Sequence, residues 1–208
     1  MSAIKAILFD ADGVLQLPAG DLEERIERHL GPAPANLMAF MEAVYEVEAP
    51  PQIGVGNFRA AMPYVLKKWY PGRTIDEFLA MWHSIEPCPQ VMEIVARLRA
   101  QGVVCAIAST QEETRATYMS RELGYAAAFD REYYSHALGF KKPDPRYFEA
   151  VIADGRFDPA ATLFIDDREE NVAAARAAGL HARYFYLERP GEGGAPMRAL
   201  LAEFGLNV

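Results

Sequence analysis

Ile4-Lys5-Ala6-Ile7-Leu8-Phe9 runs directly into Asp10-Ala11-Asp12-Gly13. A short apolar run containing β-branched residues, cut off by turn-forming residues, predicts a buried strand followed by a loop. The same pattern recurs twice. Val103-Val104-Cys105-Ala106-Ile107-Ala108 ends at Ser109-Thr110, and Thr162-Leu163-Phe164-Ile165 ends at Asp166-Asp167. Continuous apolar runs fit strands covered on both faces, as in a parallel sheet. Weaker strands are expected at Arg131–Ser135 and near Ala182–Tyr186. Helical stretches separate them: Val91, Ile94, Val95 and Leu98 share a face, a helix leads to Leu123, and others cover Pro145–Ala153, Glu169–Ala178 and Pro196–Phe204. Strands alternating with helices imply βαβ units, hence an α/β fold with a mostly parallel sheet and helices on both faces.

Between Asp21 and Ile85 the period changes. Leu22, Ile26 and Leu30 recur every four residues; Leu37, Met41 and Val44, then Phe58, Met62, Val65 and Trp69, then Ile75, Leu79 and Trp82 repeat the pattern. Gly31-Pro32, Pro50-Pro51 and Pro71-Gly72 punctuate it. Four amphipathic helices without a strand predict an inserted all-α bundle with its own core. The division expected is residues 1–16 and 87–208 for the α/β core and 17–86 for the helical cap, with hinges near Leu15–Gly20 and Glu86–Pro89.

The chain has 208 residues, 51% of them hydrophobic and 24% charged, a globular balance. Lys plus Arg number 21 against 29 Asp plus Glu, a net charge of −8, which argues against a nucleic-acid partner. No apolar run reaches the 18 or so residues that span a bilayer, so no membrane role is expected. Acidic residues interrupt the N-terminal stretch before a signal-peptide pattern develops, and Cys88 and Cys105 have no framework or CxxC spacing. A reduced, cytoplasmic setting follows as the expectation, with a monomer or weak homodimer. His29, His83, His136 and His181 lack metal-ligand spacing. Gly54-Val55-Gly56-Asn57 starts like a dinucleotide loop but follows Pro50-Pro51 rather than a strand.

In an open α/β sheet, ligands bind beyond the carboxyl ends of the strands. There the three strong strands place Asp10 and Asp12, Ser109 and Thr110, and Asp166 with Asp167. Two carboxylates about 4 Å apart repel by on the order of 4 kcal/mol at an effective dielectric near 20. Such a cluster needs a cation or protons. Mg²⁺ suits it, taking hard oxygen ligands, and Lys141-Lys142-Pro143 offers a second, permanent cation.

This arrangement resembles the phosphatase-type members of the haloacid dehalogenase (HAD) superfamily. The resemblance runs from Ile4 to about Tyr186 and rests on Phe9-Asp10-Ala11-Asp12-Gly13-Val14, Ala108-Ser109-Thr110, Gly139-Phe140-Lys141-Lys142-Pro143 and Phe164-Ile165-Asp166-Asp167, in that order. It implies a Rossmann-like core with a helical cap, and a Mg²⁺-dependent phosphatase that forms an aspartyl-phosphate on a small phosphorylated metabolite. On it, Asp10 is the nucleophile and Asp12 the acid and base. Ser109, Thr110 and Lys142 bind phosphate. Asp10, Asp166 and the backbone carbonyl of Asp12 hold Mg²⁺, with Asp167 a further ligand or a group behind the ligands. Ordinary readings stand beside these: Ser109 as the N-cap of the next helix, Asp167 paired with Glu170 as a cap, Lys141 as a solvated charge. Gln16, Gln52, Asn57 and Arg59 are the candidates for substrate selection, with Arg59 able to read a second anion. A sugar phosphomutase shares the aspartyl-phosphate step, and a scaffold binding a partner through its cap is the non-enzymatic alternative. A dehalogenase of this superfamily would lack an acid two positions after the nucleophile, and a phospho-Asp receiver domain has no place for the 65-residue helical insert.

Overall fold

The computed structural model describes residues 3–189 and 191–208. In chain order it contains β1 (Ala6–Phe9), β2 (Gln16–Pro18), α1 (Leu22–His29), α2 (Leu37–Glu48), α3 (Phe58–Trp69), α4 (Ile75–Trp82) and β3 (Ile85–Pro87). Then follow α5 (Pro89–Ala100), β4 (Val104–Ser109), α6 (Glu113–Arg121), α7 (Tyr125–Ala128), β5 (Arg131–Tyr134), α8 (Ser135–Leu138), α9 (Pro145–Gly155), β6 (Thr162–Asp166), α10 (Glu169–Ala177), β7 (His181–Tyr184) and α11 (Gly194–Ala202).

Five strands form one parallel sheet in the order β5-β4-β1-β6-β7. The opening apolar run is its central strand, and all four residues of β1 are buried. Because side chains alternate along a strand, Ile7 and Phe9 join one layer with Ile94, Leu98 and Leu201 from α5 and α11. Leu8 joins the other, with Phe148 and Val151 of α9 and Val172 of α10. Phe9 is in register with Ile107 on one side and Ile165 on the other. The residues following Phe9, Ile107 and Ile165 therefore emerge at one edge of the sheet.

The four expected insert helices are present and enclose a separate core that includes Ile26, Phe40, Val44, Phe58, Met62, Phe78 and Trp82. Phe40, Phe58 and Phe78 are fully buried, each burial favouring the fold by roughly 1.5–3 kcal/mol. Capping boxes start α1 at Asp21 with Glu24 and α4 at Thr74 with Glu77. The two passages between insert and core pair with each other: β2 and β3 form an antiparallel ribbon with Leu17 opposite Glu86. Strands of three residues that each include a proline carry no apolar period, which is why the sequence marks these passages as hinges and not as strands. No helix among the described residues is long and apolar enough to cross a membrane.

Candidate active site

The strand ends deliver three acids to one point. Asp10 follows β1, and its backbone N–H donates to the carbonyl of Ile165 at 2.9 Å. Its Oδ1 accepts from the N–H of Ala11 at 2.7 Å. Asp166 ends β6, fully buried; its Oδ1 accepts from the Arg168 N–H and from Asn171 Nδ2, each at 2.9 Å. The Lys142 ammonium sits between them, 2.9 Å from Oδ2 of Asp10 and 2.6 Å from Oδ2 of Asp166. Its stem is buried, and Nζ lies 5.3 Å from the centre of the Phe164 ring. Oxygens of Asp10, Asp166 and Asp167 all lie within 4.8 Å of one another.

This crowding has the electrostatic consequences expected of it. Burial pushes the Asp10 carboxyl up to about 7, and Asp166 adds to the rise against the opposing pull of Lys142. Burial and then Asp166 raise Asp167 as well. For Lys142, burial favours loss of the proton, but Asp10 and Asp166 outweigh it and hold the ammonium above its ordinary range. Three acids thus crowd one point, and two of them, Asp10 and Asp166, share one buried ammonium. Their hard-oxygen donor set and the upward push on Asp10 both fit a divalent cation such as Mg²⁺. Gly13 makes the approach of Asp167 possible. Its φ of +75° suits glycine, and a Cβ there would lie 2.5 Å from Oδ2 of Asp167.

The Asp12 side chain turns away from this trio. Its Oδ1 accepts from Gln16 Nε2 at 2.9 Å and from Arg115 Nη2 at 2.8 Å, and its Oδ2 from Gln111 Nε2 at 2.7 Å. Desolvation pushes the carboxyl up, but Arg115 and these hydrogen bonds outweigh it, so Asp12 is held below the usual carboxylate range. The expected crowd of four acids is therefore three plus one, because Asp12 lies in the loop beyond the strand and has its own cation. Gln111 and Arg115 carry no motif signal in the sequence; they reach Asp12 from across the fold.

Ser109 is buried at the end of β4, where its Oγ accepts from Gln111 Nε2 at 3.3 Å. It does not cap α6: Glu112 does, accepting from the N–H groups of Thr114 and Arg115 at 2.7 and 2.8 Å. Thr110 lines the same cavity, its Oγ1 buried without a partner. Asp167 does not pair with Glu170 as a cap either; α10 starts after Arg168 with no side-chain cap, leaving Asp167 to the acid cluster. Asn171, a residue of α10 that carries no motif signal in the sequence, holds Asp166 in place. Lys141 is not a free surface charge. It donates to Gln52 Oε1 at 2.8 Å, joining core to insert.

A cavity of about 580 Å³ opens over these groups. Asp10, Asp12, Thr110 and Lys142 line it from the core, and Arg25, Met41, Tyr45 and Glu48 from α1 and α2 of the insert. Glu48 is buried, which pushes its carboxyl up to about 7. Of the expected selection residues, only Gln52 lines this cavity. Gln16 is fully buried behind Asp12, where its Oε1 accepts from the Tyr125 hydroxyl at 2.9 Å. Asn57 caps α3, and Arg59 pairs with Asp76 at 2.6 Å on the surface. Both line a different cleft, beside His83 and Tyr118.

Comparison with known proteins agrees with this geometry. The family model of the haloacid dehalogenase-like hydrolases matches residues 4–179. A phosphoglycolate phosphatase of Mesorhizobium japonicum is 27% identical over 181 residues, covering 84% of this chain and 79% of that protein. The crystal structure of the HAD family enzyme bt-2542 of Bacteroides thetaiotaomicron superimposes with a TM-score of 0.78 at 21% identity, covering 94% of this chain and 98% of that one. A second structure of that enzyme, in complex with magnesium and inorganic phosphate, gives a TM-score of 0.74 at 20% identity, over 93% and 98% of the two chains. The chain belongs to the haloacid dehalogenase-like hydrolases.

Proposed function

We propose that this hydrolase is a Mg²⁺-dependent phosphatase that cleaves a small phosphorylated metabolite through an aspartyl-phosphate on Asp10. The observation that carries the reading is the trio Asp10, Asp166 and Asp167, with oxygens within 4.8 Å of one another and the Lys142 ammonium bridging the first two. The phosphatase named among the relatives, and the neighbour holding magnesium and phosphate, support the same class. Asp10, Asp166, Asp167 and the backbone carbonyl of Asp12 would hold Mg²⁺. When bound, the ion supplies positive charge that keeps Asp10 ionised and offsets the charge of the phosphoryl oxygens.

A carboxylate oxygen of Asp10 attacks phosphorus as the bond to the leaving oxygen breaks. This divides one slow hydrolysis into two faster steps. Lys142, Ser109 and Thr110 bind the phosphoryl oxygens, with donors fixed in place before the charge develops. Asp12 gives a proton to the leaving oxygen. In the free protein Arg115 keeps Asp12 ionised; a phosphate dianion beside it opposes Arg115 and favours the protonated form. Once the alcohol leaves, Asp12 accepts the proton of a water that attacks phosphorus and restores Asp10. The helical unit, residues 17–86, serves as a cap on the β2–β3 ribbon, excluding water and bringing the cavity-lining face of α1 and α2 to the leaving group.

Phosphate release from an aryl phosphate, with Mg²⁺ and with EDTA, tests this. Release only with Mg²⁺ is expected, and Asp12→Asn should accumulate protein carrying one PO₃ group on the peptide that contains Asp10. Equal release in EDTA, or a labelled peptide elsewhere, would reject the reading.

A further inference from the structure

Arg25 stands out among the cations of the cavity. Arg115, Lys141 and Lys142 each have a partner, and Arg168 is exposed. Arg25, in the middle of α1, is only 9% exposed, and its Nε is buried without a hydrogen-bond partner. Among the described residues no carboxylate forms a salt bridge with it. A buried, unpaired guanidinium is costly to the fold unless something outside the chain neutralises it. Burial and the nearby Arg115 push it below its ordinary range against the opposing pull of Tyr45, Asp12 and Asp21. Glu48 lines the same cavity, but with its carboxyl pushed up to about 7 it carries only part of a charge near neutrality.

We propose that the substrate's leaving group carries a second anion, a carboxylate or a second phosphate, that seats on Arg25. The inference rests on the phosphatase reading. The transferred phosphoryl group belongs to Asp10 and Lys142. Arg25 lines the cavity from the insert, close enough to Asp12 and Arg115 to feel both charges; Asp12 is the residue that hands a proton to the leaving oxygen, so an anion seated on Arg25 belongs to the departing alcohol. An Arg fork suits either anion through paired hydrogen bonds. A cavity of about 580 Å³ has room for a phosphoester with a leaving group of a few carbons.

The test compares Mg²⁺-loaded wild type, Arg25→Gln and Arg25→Lys on three esters of similar length: ethyl phosphate, O-phosphohydroxyacetate and ethane-1,2-diol bisphosphate. For wild type, kcat/KM for one of the two doubly anionic esters should exceed that for ethyl phosphate by about thirtyfold or more, the scale of a charge-assisted hydrogen-bond pair. Which of the two is preferred distinguishes carboxylate from phosphate. Arg25→Gln should bring that ratio to within about threefold of unity, and Arg25→Lys should retain part of it. A merely structural role would lower all three substrates together and leave the ratio alone. A wild-type ratio near unity, or an unchanged ratio in Arg25→Gln, overturns the inference while leaving the phosphatase reading intact. If Arg25→Gln does not fold, the lysine variant decides, an unaltered ratio counting against. Failure to release phosphate from any ester, an aryl phosphate included, overturns the phosphatase reading and this inference with it.

Discussion

Nη2 of Arg115 lies 2.8 Å from Oδ1 of Asp12, a residue 103 positions earlier in the chain. The same guanidinium donates through Nη1 to the backbone carbonyl of Trp82, the last residue of α4. One side chain of the core therefore holds the proposed acid–base group and touches the end of the insert. Arg115→Gln removes the charge that keeps Asp12 low. The Asp12 value should rise, moving the acidic limb of the kcat–pH profile to higher pH, and kcat should fall by roughly 10²-fold. An unmoved acidic limb in that variant would show that Arg115 does not govern the titrating group.

Asp10 and Glu48 are both buried with folded values of about 7, above the ordinary range. The sign follows from proton binding. Between about pH 4 and 7 the folded state binds more protons than the unfolded chain, so stability from these groups is complete below the ordinary carboxyl value. It is lost as pH rises through 7. Thermal unfolding in EDTA should show Tm falling over pH 5 to 8, and Mg²⁺ should raise Tm more at pH 8 than at pH 5. Asp10→Asn should flatten the pH dependence, remain folded, and lower turnover by about 10⁴-fold or more. A variant with appreciable turnover would remove Asp10 as nucleophile.

Lys142 is 6% exposed between two acids. Lys142→Met leaves buried carboxylates without their cation, and breaking such a pair costs about 3–5 kcal/mol. Chemical denaturation at pH 8 without metal should show a loss of that size, with a smaller loss at pH 5, where Asp10 takes up a proton. Equal stability of wild type and variant at pH 8 would contradict the charge balance described for the site.

At Gly13 the φ of +75°, and the 2.5 Å that would separate an added Cβ from Asp167 Oδ2, leave no room for a methyl group. Gly13→Ala should cost about 1–2 kcal/mol from the backbone alone. By displacing Asp167 it should also weaken Mg²⁺ binding, read by calorimetry. Unaltered Mg²⁺ affinity in the folded variant would place Asp167 outside the ion's surroundings.

The local sequence carried the sheet and the acids. Three apolar runs ending in Asp10, Ser109 and Asp166 identify parallel strands and the edge at which their side chains collect, because burial on both faces writes itself as an unbroken run of hydrophobic residues. The four insert helices were legible for the same kind of reason, a period of 3.6 residues. The tertiary structure decided the rest. Arg115 and Gln111 meet Asp12, Asn171 meets Asp166, Lys141 meets Gln52, and Arg25 faces the cavity unpaired. None of these has a periodic or motif signature, since a hydrogen bond or ion pair depends on where two distant side chains end up after the cores pack. The surface pairing of Arg59 with Asp76 and the burial of Arg25 show this directly. Two arginines look alike in a sequence, and only packing separates the one that water and a carboxylate satisfy from the one left facing the site.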